Sequence, residues 1–208
     1  MYYSISVYIL NALKLLRMIR EAKSTDFEQI KSIINNYILD REKLDDFVYC
    51  AKKQRDGFIA TADFEDLQEK VHSSKLFNVY EKEETICGFI VANRELYFPE
   101  EAQNIIWLDK NAKEVYFHGE KSIELHYIAV EPSYKNKGVA TKLFEQSISE
   151  LKNEGFTDLF SIVALGPLTN CSSIIWHTKR GFKRVCVTMP FDIFGMKDYQ
   201  SILFHREL

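Results

Sequence analysis

Between residues 128 and 140 the chain reads Ile-Ala-Val-Glu-Pro-Ser-Tyr-Lys-Asn-Lys-Gly-Val-Ala. An extended apolar stretch ends at Val130, Pro132 punctuates a loop, and Lys135, Lys137 and Gly138 open a helical pattern. The first turn of a helix leaves backbone N–H groups unpaired and carries partial positive charge. Gly138 and Ala140 keep their side chains small, so an anion can approach those groups. Lys135 and Lys137 add full positive charge. The chemistry implied is anion binding, and a pyrophosphate would be well matched. A plainer reading stands beside it: an ordinary strand, loop and helix whose lysines are solvated. The segment is not a P-loop, because Gly-x-x-x-x-Gly-Lys-Ser/Thr is absent, and Gly-x-Gly-x-x-Gly is absent too. Cys50, Cys87, Cys171 and Cys186 are widely spaced, with no Cys-x-x-Cys pair and no histidines at zinc-ligand spacing. They read as reduced thiols of a cytoplasmic protein, and no metal site is expected.

The stretch resembles the acyl-CoA-binding signature of the GNAT superfamily of N-acetyltransferases, Arg/Gln-x-x-Gly-x-Gly/Ala after a strand ending in Val-x-Pro. Here it runs Lys135-Asn-Lys-Gly138-Val-Ala140, with lysine in place of Arg or Gln. A second motif follows about 30 residues on. Asn170-Cys-Ser-Ser173-Ile-Ile-Trp176-His177-Thr-Lys-Arg-Gly181-Phe182 is similar to the family's Asn-x-x-Ala-x-x-Leu-Tyr-x-x-x-Gly-Phe. Ser173 replaces Ala, Trp176 replaces Leu and His177 replaces Tyr. On a helix, positions 170, 173 and 177 share a face and can address one ligand. By themselves Asn170 reads as an N-cap and Gly181 as a C-cap.

The resemblance implies acetyl-CoA as acyl-donor substrate and an amine as acceptor. The donor-binding residues it implies are Ile128, Ala129 and Val130, then Lys135, Asn136, Lys137, Gly138, Val139, Ala140 and Thr141, with Asn170 and Ser173 from the second motif. The pantetheine arm would pair with the 128–130 backbone, and the Val130 N–H would stabilise the oxyanion. A lysine-type amine has a pKa of about 10, so attack needs a base. Glu124 lies six residues before Val130, where some family members carry a catalytic glutamate. It alternates with His126, the reserve base, on one side of a strand. A carboxylate buried there has its pKa raised toward neutrality; otherwise Glu124 faces solvent or pairs with a lysine. The family's tyrosine protonates the departing thiolate, which implies His177 as acid. Alternatively His177 packs or contacts the donor, and the thiolate leaves unprotonated or takes a proton from Tyr134. The expected function is N-acetyl transfer to a primary amine of a small molecule or peptide by direct attack in a ternary complex. The alternative is a catalytically silent acyl-CoA-binding sensor or interaction domain.

The elements that must position these groups alternate between α and β. Thr25-Asp-Phe-Glu28 is a capping box opening a helix with Phe27, Ile30, Ile33 and Ile34 on one face. Leu76–Glu81 and Thr85–Asn93 read as a hairpin, and Ser122–Val130 as a strand. The stripe Val139, Ala140, Leu143, Phe144, Ile148 and Leu151 marks a helix over Gly138–Asn153, stopped by Gly155. Asp158–Ala164 is a strand, Cys171–Arg180 a helix, and Val185–Met189 and Ser201–His205 closing strands. Residues 94–121 read as an insertion. The fold expected is α/β, a mixed, mostly antiparallel sheet flanked by helices, with strands four and five, ending near Val130 and Ala164, parallel and splayed. The acceptor site is expected from residues 39–75, 94–121 and 189–199, with Trp107, Tyr116, Phe191 and Phe194 as pocket or core aromatics.

In 208 residues, 46% are hydrophobic and 27% charged, as in a globular protein. With 27 basic against 30 acidic residues the net charge is −3, which argues against a nucleic-acid partner. Residues 1–17 are apolar but shorter than a membrane span of about 20 residues, and their positive charges follow the apolar run, unlike a secretory signal. They read either as an N-terminal extension that covers an apolar patch or as a mis-assigned start, with translation beginning at Met18. Residues 18–208 form the acyltransferase domain, and a homodimer is left open.

Overall fold

Strands rich in Val, Ile and Phe build one sheet, and helices cover both of its faces. The computed structural model describes residues 18–98, 104–193 and 195–208. The N-terminal segment 1–17 and Phe194 lie outside the described residues, as does part of the 94–121 insertion.

The elements run β1 (Ile19–Glu21), α1 (Phe27–Asn35), α2 (Phe47–Asp56), α3 (Phe64–Ser73), β2 (Leu76–Lys82) and β3 (Thr85–Asn93). Then come β4 (Ile105–Trp107), α4 (Lys110–His118), β5 (Ser122–Val130), α5 (Val139–Asn153) and β6 (Asp158–Gly166). Last are α6 (Cys171–Lys179), β7 (Lys183–Thr188), β8 (Phe191–Ile193) and β9 (Met196–Glu207). Among the described residues the strand order is β1-β2-β3-β5-β6-β9-β7-β4, with β8 paired to β9. Every pairing is antiparallel except β5–β6. The expected strands four and five are therefore β5 and β6, because the insertion contributes its own short strand, β4. It also contributes α4. The fold is the mixed, mostly antiparallel α/β arrangement expected.

The two sheet faces carry separate cores. Leu143, Phe144, Ile148 and Leu151 of α5 pack on Ile90, Ile123, Leu125 and Phe204. Phe27, Ile30, Ile33 and Ile34 of α1 cover Phe77, Val79, Phe89 and Val91 on the other side. Tyr116 of α4 joins Phe160, Cys186 and Leu203 beside them.

The start of α1 differs from the capping box expected at Thr25 and Glu28. A 3-10 turn over Ser24–Asp26 precedes the helix, and Asp26 accepts the Lys23 N–H at 2.7 Å. Arg20 of β1 holds that carboxylate with two nitrogens, at 2.7 and 3.0 Å. The box therefore forms between Lys23 and Asp26, two residues before the Thr25–Glu28 pattern, with the Arg20 guanidinium holding its carboxylate.

Candidate active site

The β3–β5 register slips between Val91 and Ala92, so that His126 is an extra residue, a β-bulge. A bulge reverses the alternation of the residues beyond it. Ile123 and Leu125 face α5 before it, and Ile128 and Val130 face α5 after it. Tyr127 and Ala129 turn to the α1 face. The bulge also marks where β5 leaves β6. Parallel pairing runs from Ser122↔Asp158 to Leu125↔Ser161 and stops there, while β6 stays paired to β9. The expected splay is present.

Backbone polarity follows from the register. Glu131 N–H donates to Cys87 C=O at 2.9 Å. Bonding alternates along an antiparallel ladder, so Ile128 and Val130 turn their N–H and C=O groups away from β3, into the gap. Tyr37 confirms the direction, its hydroxyl reaching the Val130 C=O at 2.6 Å. The gap is part of a cleft of about 1140 Å³ that runs from α3 past β5 to α5 and α6.

At one end of the cleft lies the first turn of α5. Gly138, with φ +80°, is its N-cap and supplies no capping side chain. Helical bonding starts with Lys142 N–H to Gly138 C=O. The N–H groups of the first turn therefore remain for an anion, and Gly138, Val139, Ala140 and Thr141 line the cleft there. Lys137 is exposed, its ammonium 5.0 Å from the Tyr134 ring centroid. Asn136, at φ +60°, lines the turn. Lys135 departs from expectation. Its ammonium donates to the Asp56 C=O at the end of α2, 2.7 Å away, and lies over the Tyr37 ring. It anchors the loop instead of pointing a free charge at the turn. Asn170 is likewise committed inside the protein: its Oδ1 accepts the Ser173 N–H, and its Nδ2 donates to Phe58 C=O at 2.8 Å. Asn170 and Ser173 border the cleft, Asn170 chiefly as a clamp.

At the other end lies Glu124, 3% exposed. Its Oε2 accepts the Tyr116 hydroxyl at 2.8 Å and the Tyr97 N–H at 3.3 Å. Burial raises the carboxyl pKa to about 7, outweighing those two donors, which lower it. This is the environment expected of a base, and the solvent-facing alternative is excluded by the burial. His126 also lines the cleft. Its Nε2 meets Glu95 C=O at 3.0 Å and must donate there, while burial lowers its pKa. Asp63, the N-cap of α3, with Asp66 and Lys70 of that helix, Glu95, Tyr97 and Tyr199 complete this end. Lys70 is ion-paired to Asp66 at 2.7 Å. Of the aromatics expected here, Trp107 packs on Tyr116 and Phe117 in the core. Phe191 meets Tyr199 edge-on. Tyr116 does both jobs, its ring in the core and its hydroxyl on Glu124.

His177 is 3% exposed, stacked on Phe204 and flanked by Trp176 and Phe182. Its Nδ1 faces the Ser173 C=O at 2.8 Å and so carries the hydrogen. Nε2 is then a lone pair, and it is buried without a partner among the described residues. Burial drops the ring's pKa to about 4. A neutral ring whose one proton is held by a backbone carbonyl has none to give at pH 7, so this geometry does not support the acid expected at His177.

Sequence spacing singled out none of Tyr37, Tyr97, Tyr199, Lys70 and Arg180, all of which line the cleft, although Lys70, Tyr97 and Tyr199 fall in the segments expected to build the acceptor site. Among the described residues no cluster of metal-ligating side chains occurs, and no helix is long and apolar enough to cross a membrane.

The acetyltransferase (GNAT) family profile matches residues 40–182, which include the gap, the α5 turn and α6. No curated protein matches. Solved structures share the fold at low identity. The ribosomal-protein-S18-alanine N-acetyltransferase of Escherichia coli aligns with a TM-score of 0.59 at 15% identity, over 91% of this chain and 92% of that one. Ribosomal-protein-alanine N-acetyltransferase from Brucella melitensis gives 0.59 at 17%, over 91% and 99%. The PaiA N-acetyltransferase of Thermoplasma acidophilum, in complex with coenzyme A, gives 0.54 at 16%, over 91% and 98%. With more than half of its length matched and a splayed β5–β6 pair at its centre, the chain belongs to the GNAT acetyltransferase family.

Proposed function

We propose that the chain is an acetyl-CoA-dependent N-acetyltransferase acting on a primary amine of a small molecule or peptide, by direct attack in a ternary complex. The observation that carries this reading is Glu124, a buried carboxylate with a pKa of about 7 where β5 parts from β6. A base is most effective when its pKa lies near the working pH. The Ile128 backbone N–H and C=O would pair with the pantetheine arm, and the α5 turn would hold the diphosphate. Glu124 takes the amine proton, directly or through a water. The Val130 N–H donates to the oxygen on which charge develops. A thiolate, the base of a thiol with pKa about 8.5, departs without a protein acid, which fits a neutral His177.

The test is thiol release from acetyl-CoA over a panel of primary amines, with product mass confirming an added acetyl group. Turnover with at least one amine is expected. Stabilisation by CoA with no thiol release from any amine would leave a binding domain and overturn the enzymatic reading. No stabilisation by CoA would overturn donor binding itself.

A further inference from the structure

We propose that Arg180 is a binding residue for the diphosphate of the acyl-CoA donor, taking the part expected of Lys135. The inference rests on the acyl-CoA reading above. Lys135 has its ammonium on the Asp56 C=O, which leaves the anion end of the cleft short of one directed charge. Arg180 stands just beyond α6, at that same end. Its Nη2 donates to Thr141 Oγ1 at 2.6 Å, inside the uncapped first turn of α5. Its Nη1 donates to the Trp176 C=O at 3.3 Å, and its guanidinium carbon lies 4.1 Å from the Trp176 ring centroid. Two of the five guanidinium N–H groups are thus used in locking the fork, and three remain.

Arg180 makes no ion pair with any described residue. Glu145, one turn along α5 from Thr141, and Arg206 of β9 act on it only at a distance. A half-buried guanidinium with no carboxylate partner, tethered to a turn of free N–H groups, matches the bidentate demand of phosphate oxygens. The tether to Thr141 favours the diphosphate over the 3′-phosphate, because the diphosphate must sit on that turn's N–H groups.

The experiment is calorimetry on the full chain with CoA and with 3′-dephospho-CoA. Arg180→Met keeps an apolar stem over Trp176 and removes the charge. Both ligands should lose affinity by about tenfold or more and by similar factors. Arg180→Gln, which can still donate to Thr141, carries the same expectation and serves if Arg180→Met does not fold. Wild-type affinity for CoA in a folded variant overturns the proposal. A loss for CoA that is absent for 3′-dephospho-CoA also overturns it, since the partner would then be the 3′-phosphate. A wild-type protein that binds neither ligand refutes the acyl-CoA reading itself, which is a different outcome from failure of the Arg180 assignment.

Discussion

Tyr116→Phe removes one oxygen atom from the core and should move the pH dependence of turnover. Tyr116 donates to Glu124 Oε2 at 2.8 Å, which favours the carboxylate. A hydrogen bond to a charged group contributes about 1.5–3 kcal/mol, and one pKa unit corresponds to about 1.4 kcal/mol. Losing the bond should therefore raise Glu124 by about 1–2 units from its value of about 7. At pH 7 the ionised fraction would fall from about one half to roughly 1–10% by that shift, and kcat/KM would fall by about 5- to 50-fold. Above about pH 9.5 the rate should recover, because the carboxyl ionises again. The assay is thiol release from acetyl-CoA across pH 6–10, with the acid limb of kcat/KM as readout. The same oxygen accepts the Phe98 N–H at 3.2 Å. Leaving that buried donor unpaired costs about 1–3 kcal/mol, so the melting temperature should also drop and the assay belongs well below it. An acid limb that stays in place, or a loss equal at every pH, would show that Tyr116 does not tune the base.

Glu124→Gln should trade activity for stability. Because burial raises the folded pKa above the unfolded one, the native state holds the extra proton between pH 4.5 and about 7, and stability declines as pH rises through that window. The uncharged amide escapes the decline. Turnover should fall by ~10²-fold or more, with the variant up to ~3 kcal/mol more stable than wild type at pH 8 and little changed at pH 5. Denaturant titration at both pH values decides, and an equal effect at both removes the burial argument. His177 runs the opposite way. Its folded pKa of about 4 lies below the unfolded 6.5, so its contribution is present above pH 6.5 and is lost as pH falls toward 4. His177→Phe should flatten that acid destabilisation, and the alkaline limb of kcat/KM should stay where it is. A moved alkaline limb would restore the acid role. Gly138→Glu puts a carboxylate at the α5 turn, where nothing lies within 4 Å of an added Cβ. CoA affinity should fall about tenfold or more, or ~1.4 kcal/mol, although φ +80° strains the new residue. Unchanged affinity by calorimetry on a folded variant would move the anion site elsewhere.

What the sequence revealed and what it hid divide along the range of the forces involved. The hairpin at residues 76–93 and the α5 stripe are set by neighbours in the chain, so alternation and helical period expose them. Gly155 ends α5 as expected, at φ +88°. The bulge at His126 depends on β3, and no residue type announces it. Glu124 was legible by spacing, but the Tyr116 hydroxyl that holds it arrives from α4, inside a segment with no readable period. Met196–Gln200 extends β9 beyond the expected start at Ser201 and lets β8 pair with it. The imidazole of His177 fits the family spacing, yet burial among Trp176, Phe182 and Phe204 decides its charge. Arg180 precedes Gly181, where a cation reads as an ordinary helix terminator.

The parting of β5 and β6 places two strand edges in the middle of a sheet. An unpaired edge is a template on which any extended chain can add itself, which is how sheet proteins aggregate. Most proteins keep such edges at the rim and blunt them with charge or proline. Here the hazard is interior, and each strand is stiffened by its far neighbour, β3 on one side and β9 on the other. The sheet therefore cannot heal the slot by drawing the strands together. The fold guards it instead with local plugs: Tyr37 occupies the Val130 carbonyl, and the His126 bulge breaks the repeat an incoming strand would need. What remains unguarded is a short stretch of backbone, long enough for a narrow amide-bearing arm and too short for a stable β-ladder with a stray polypeptide.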